Sequence, residues 1–259
     1  MRNSLTRTLI ATVAFACAIA ANILANALPI NGMTTGAVSN LYPNLFTPAG
    51  FTFSIWSVIY LSLTSFVVFA YLKPGRQLPV LTTILPWFTL SSILNASWIT
   101  AWHFLLPALS FLIMIGLLVT LTRIFTLIQQ SPITTPGQFL FITLPFTLYF
   151  AWICVATIAN ASALLVHWKW TGGPLSPETW TIIMMIAAAA IAVVIVWRYR
   201  SWPHVAVTVW AIFGINSKAG REVTLIHETA IFLMVILAAL LIFCLVRPHT
   251  FYKTHERTG

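Results

Sequence analysis

Aspartate is absent from these 259 residues, and negative charge comes from four glutamates alone, Glu178, Glu222, Glu228 and Glu256. Charged residues of both signs make up 7% of the chain, whereas a soluble domain carries about 25%. A water-soluble globule of this composition could not cover its surface, and a disordered chain needs far more charge. Cysteine is scarce as well. Cys17, Cys154 and Cys244 each lie deep in an apolar run. An odd number without metal-ligand spacing indicates neither a disulfide framework nor a zinc site, so they read as small buried hydrophobes. No glycine loop suited to phosphate is present. His227-Glu228 begins like a zincin helix, but Ile231 stands where a second histidine is required.

What is present is apolar. Hydrophobic residues make up 59% of the chain, and 13 Lys+Arg leave a net charge of +9. Such a balance would suggest nucleic acid if the cations were clustered. Here they stand singly or in small groups between apolar runs, so they read as a topology signal and nucleic acid is excluded as a partner. A membrane-crossing helix needs about 20 mainly apolar residues. Eight segments approach this: residues 8–29, 51–72, 80–104, 107–128, 139–167, 179–197, 203–217 and 229–246. The seventh is the shortest. With both termini inside, the inner segments carry Arg2, Arg7, Lys73, Arg76, Arg123, Arg198, Arg200, Arg247, Lys253 and Arg257, and the outer segments carry Lys169, Lys218 and Arg221. This asymmetry supports eight spans, N-in and C-in. The expectation is an all-α, multi-pass helix bundle in a membrane, surrounded by lipid. Ala25-Asn26-Ala27 leaves open a cleaved signal peptide in place of the first span; a retained helix is the reading adopted.

The connection at residues 31–50 has no charge, yet carries Leu41, Tyr42, Leu45, Phe46 and Pro48. A solvated linker would be polar, so Leu41, Tyr42, Phe46 and Pro48 are expected to fold over the helix ends as a lid. The glycine- and proline-containing stretch around residues 169–178 marks a boundary between residues 1–170, a five-helix part, and residues 171–259, a three-helix part. Mid-span segments contain no acidic residue or histidine, which disfavours ion-coupled transport. His103, His167 and His227 share the outer side, where interfacial hydrogen bonding is favoured over a metal site; none is expected.

Of the eleven tryptophans, Trp168, Trp170, Trp180, Trp197 and Trp202 fall at helix ends and form an aromatic belt. Trp56, Trp98 and Trp152 lie within spans. Asn95, Trp98 and Trp102 share one helical face, as do Tyr149, Trp152, Ala156 and Asn160. Asn95 and Asn160 must point into the bundle, because an amide facing lipid is costly. Interhelical packing and a ligand pocket both explain these stripes.

Tyr149-x-x-Trp152-x-x-x-Ala156-Thr157-x-x-Asn160 resembles the fifth-helix signature of the tryptophan-rich sensory protein family, also called the TspO/MBR or translocator protein family. Leu94-Asn95-x-x-Trp98 resembles its third-helix motif. Thr47-Pro48-Ala49-Gly50, followed by Phe53, Trp56 and Tyr60, is similar to its loop-to-second-helix motif, with Ala49 where the family has a second proline. The resemblance covers residues 8 to 168. The last three helices have no counterpart in five-helix members and indicate a longer, bacterial-type branch, placed in the inner membrane. The resemblance implies a sensor that binds porphyrins or other flat hydrophobic molecules non-covalently. Trp56, Asn95, Trp98, Trp102, Tyr149, Trp152, Ala156 and Asn160 would then line the pocket. No catalytic residue is indicated. A porphyrin-modifying enzyme, a transporter, and an accessory subunit of a larger complex are the alternatives, with homodimerisation left open.

Overall fold

The computed structural model describes residues 2–28, 30–131 and 134–246, excepting the side chains of residues 2–4 and 221. The expected end of the first span at Pro29 and the basic residues Arg247, Lys253 and Arg257 lie outside the described residues, as does Glu256. Eight long helices carry the fold: α1 (Arg2–Ala27), α2 (Ile55–Tyr71), α3 (Pro79–His103), α4 (Pro107–Gln129), α5 (Leu144–His167), α6 (Pro177–Tyr199), α7 (Trp202–Lys218) and α8 (Thr224–Val246). Proline stands in the first turn of α3, α4, α6 and α7, where its missing N–H leaves no intrahelical bond unmade. Before Pro145 the chain makes one π-helical turn, Phe139–Thr143, so that Leu144 N–H reaches back to Phe139 O. This wider turn relieves the proline of the carbonyl it would otherwise strike.

Seven of these helices, among the described residues, are long and apolar enough to cross a membrane. The exception is α7, the span expected to be shortest. At 17 residues it is about 26 Å long, somewhat less than the roughly 30 Å hydrocarbon core. It nevertheless runs the height of the bundle. Trp202 meets the Phe139 ring at one end, and Gly214 O accepts from Ala49 N–H at the other. The return along α8 brings Phe243 under the Arg200 guanidinium. Its sides are covered by α5, α6 and α8, so protein meets most of its surface. The chain is an all-α, multi-pass membrane protein.

Helices α1 to α5 form a closed ring in the order α1, α3, α4, α5, α2, and α6 to α8 pack together against α5. Inside the ring, Phe15, Phe66, Phe88 and Phe146 fill one half, with centroids 4.8 to 5.5 Å apart and the Phe66, Phe88 and Phe146 rings edge to face. Above this cluster a polar junction binds four helices. Asn95 Oδ1 accepts from Asn22 Nδ2 (2.7 Å) and from Tyr60 OH (3.1 Å), while Asn95 Nδ2 donates to Tyr149 OH (2.9 Å).

Two outcomes follow for measurement. Reporter fusions after Lys73 and Arg200 are expected in the cytoplasm and a fusion after Gly173 on the outer side; a fusion after Lys253 found outside would mean that α7 does not cross. Asn95→Leu is expected to lower unfolding stability by about 2 kcal/mol, three interhelical bonds at roughly 0.6 kcal/mol each. An unchanged melting temperature would show that the junction does not hold the ring.

Candidate functional site

Beyond the Asn95 junction, towards the loop at residues 31–50, the ring does not close on itself. A cavity opens there, with about 580 Å³ of empty volume when the open space at its mouth is counted and only a small part of that enclosed. Helix α3 contributes Trp98 and Trp102, α2 contributes Trp56 with Phe53 just before it, and α5 contributes Trp152, Ala156 and Asn160. The helical repeat places each of these sets on one face. The tryptophan rings form a run, Trp56 stacking on Trp98 (6.0 Å, 29°) and Trp98 on Trp102 (6.3 Å, 17°), with Trp152 edge-on to Trp56 (6.3 Å, 84°). Space remains beside them because α5 answers with Ala156, Ala159 and Ala163. These alanines leave room opposite the rings. The space is narrow and admits a few waters.

The polar groups of this wall are unusual. Trp98 and Trp152 are buried, and the Nε1–H of each has no acceptor among the described residues. A buried donor left unpaired costs about 1–3 kcal/mol. Asn160 Oδ1 accepts from Ser110 Oγ (3.3 Å), and its Nδ2 makes no bond to a described residue. Among the described residues, no charged side chain lines the cavity. Its described lining residues offer π faces, indole and amide N–H donors, and the hydroxyls of Thr35, Ser39 and Thr47.

The loop at residues 31–50 is structured. Ile30–Gly32 is a 3-10 turn and Thr35–Asn40 a short helix capped by Thr34. Its first half is fastened to His103, which is fully buried at the end of α3. Thr35 Oγ1 lies 3.0 Å from His103 Nε2, His103 Nδ1 lies 3.2 Å from Ile30 O, and Asn31 Nδ2 donates to His103 O. Trp102 Nε1 donates to Thr35 O, so one tryptophan of the wall holds the loop. Of the expected lid residues, Pro48 lines the cavity, Phe46 is fully buried, and Leu41 is exposed. Tyr42 is buried between the Trp102 and His167 rings, and desolvation raises its phenol above the ordinary value.

Trp56, Trp98, Trp102, Trp152, Ala156 and Asn160 are brought together around this space. Asn95 and Tyr149 are not among its lining residues. They border a much smaller hollow with Tyr60 and Ser92, beneath the tryptophans, and their polar atoms are spent on each other and on Asn22 and Tyr60. Thr47 and Phe53 of the loop-to-helix motif also line the cavity, as do Thr35, Ser39, Val155, Ala159 and Ala163, which no motif marks in the sequence. Ala159 and Ala163 continue the Ala156 stripe by helical spacing and were within reach of it; Thr35 and Ser39 were not. The outer-side histidines do not converge, since His227 Nδ1 pairs instead with Asn216 Oδ1 at 2.9 Å. Among the described residues, no cluster of His, Cys, Asp or Glu could hold a metal ion.

Comparison with known proteins finds a family whose model matches the sequence. The family model described as TSPO-like protein matches residues 8–243, a stretch that runs past the five-helix ring and through α6, α7 and most of α8. No curated protein and no solved structure matches. A match over nearly the whole chain shows that the chain belongs to the TSPO-like protein family.

Proposed function

We propose that this protein is a membrane sensor whose aromatic cavity binds a flat hydrophobic ligand bearing hydrogen-bond acceptors, a porphyrin being the leading class. The observation that carries this reading is the pair of buried, acceptorless indole N–H groups, Trp98 and Trp152, in a cavity walled by stacked rings. Flat π surfaces favour offset stacking on such a wall, and an acceptor brought near those donors would relieve an existing desolvation cost. Asn160 supplies a third donor. The ligand would be held non-covalently. Because the cavity is narrow, a porphyrin ring requires the loop between Asn40 and Pro48 to lift, which accords with a lid. On this reading the chain stands in a bacterial inner membrane with both termini inside, following its charge asymmetry, and its three further helices are those of a longer branch of the family.

Protoporphyrin IX is expected to quench tryptophan fluorescence saturably, in the micromolar range, in the purified protein. Linear, non-saturating quenching would reject the site. Ala159→Leu fills the cavity from the alanine face without disturbing the Asn95 junction. It should weaken binding by about tenfold or more, equivalent to about 1.4 kcal/mol, with the melting temperature little changed. Undiminished affinity in that variant would place the ligand elsewhere.

A further inference from the structure

One wall of the cavity is held from outside the five-helix ring. Residues 47–54 supply Thr47, Pro48 and Phe53 to the lining, and the residues between them turn the other way, onto α7. Ala49 N–H donates to Gly214 O at 3.0 Å, and Trp210 Nε1 donates to Thr52 O at 2.9 Å. The Phe51 ring meets Trp210 edge-on at 5.6 Å and Phe213 at 5.8 Å. Thr52 is fully buried, and its Oγ1 has no partner among the described residues. It occupies the place where any other residue at 214 would carry its Cβ. A Cβ there would overlap Thr52 Oγ1 and come within 2.8 Å of Cγ2 and 2.9 Å of Cβ. Glycine at 214 is thus the condition for this close approach.

We propose that α7 positions the ligand site: Gly214 and Trp210 are positioning residues that set where Pro48 and Phe53 stand, so the three C-terminal helices belong to the site and register its occupancy. This rests on the reading that the cavity binds a ligand. The same short segment is cavity wall on one side and docking strip on the other, so it cannot shift for a ligand without shifting on α7. Whatever α7 contributes to binding, the ligand must return to α7 by thermodynamic linkage. The binding site is thereby connected to the helices that the five-helix ring does not need for its own closure.

The test uses the full-length protein, with two readouts on wild type, Gly214→Ala, Thr52→Ala, and the double variant Thr52→Ala/Gly214→Ala. The first readout is hydrogen exchange of the peptide covering residues 47–54, which needs no ligand. The second is protoporphyrin IX affinity. Gly214→Ala is expected to speed exchange in that peptide and to weaken porphyrin binding by about tenfold. Thr52→Ala removes the two closest clashing atoms and leaves Cβ at 2.9 Å, so the double variant should recover part of both. Should Gly214→Ala fail to fold, Trp210→Phe deletes the indole N–H alone and is expected to move both readouts in the same direction. Unchanged exchange and affinity in Gly214→Ala would overturn the proposal. So would an equal loss of melting temperature in the single and double variants at unchanged affinity, because that result describes packing alone. If wild type binds no porphyrin, the ligand reading fails, and hydrogen exchange still decides whether α7 holds the segment.

Discussion

The structure depends on a single amide. Helices in a membrane gain nothing by hiding apolar surface from lipid, so close packing and interhelical hydrogen bonds must choose how they sit. Asn95 is where that choice is made, accepting from α1 and α2 and donating to α5. Sliding any of these helices by one residue would leave a polar group unpaired in a setting without water. The cavity inherits this register. Trp98 lies three residues past Asn95, Trp152 three past Tyr149, and Trp56 four before Tyr60. Each is one turn from its own member of the junction, on the side of the loop. The three tryptophans meet at one level because the three polar groups beneath them do.

That arrangement separates two roles that the sequence presents as one. Asn95 and Asn160 occupy similar motifs and obey the same rule against facing lipid. Yet Asn95 has both ends of its amide bonded across the bundle, while Asn160 takes one bond from Ser110 and keeps its Nδ2 without a partner among the described residues. The difference lies in their neighbours. Tyrosines and Asn22 surround Asn95, whereas alanines surround Asn160, and alanine has nothing to donate or accept. A face of small apolar residues opposite large rings creates both the vacancy and the unsatisfied donors. On the proposed reading, an acceptor brought to those donors would offset the cost of burying them.

Much of this was legible beforehand, for physical reasons that can be named. Membrane helices of about 20 apolar residues leave a strong mark in any sequence, and a polar residue within such a run has a narrow choice of directions. Hence the all-α, multi-pass fold and the inward placing of Asn95 and Asn160 could be read from periodicity. The junction's partners could not, because whether Tyr60 and Asn22 reach Asn95 depends on helix rotation and depth rather than spacing. His103 was also opaque. At a helix end it reads as an interfacial residue, but the chain folds back over it and buries it completely. The shortness of α7 misleads in the opposite direction. Its length places it at the margin of a spanning helix, while its packing against α5, α6 and α8 makes it part of the bundle.

The loop at residues 31–50 shows how these constraints combine. A free lid needs hinges at both ends, and this loop has fasteners there instead. Its beginning is tied to His103 through Thr35, Ile30 and Asn31, and its end is tied to α7 through Ala49 and Thr52. Between them, Asn44 Oδ1 accepts from Thr47 N–H and Oγ1 and tightens the descent into the cavity wall. Opening the site must then either withdraw Tyr42 and Phe46 from their packing or pull the fastened ends. The first route exposes two large buried rings. The second disturbs α3 at one end and α7 at the other. Both fasteners lie on helices, so on the proposed reading a ligand that opened this loop by the second route would act on α3 and α7 with no separate moving part.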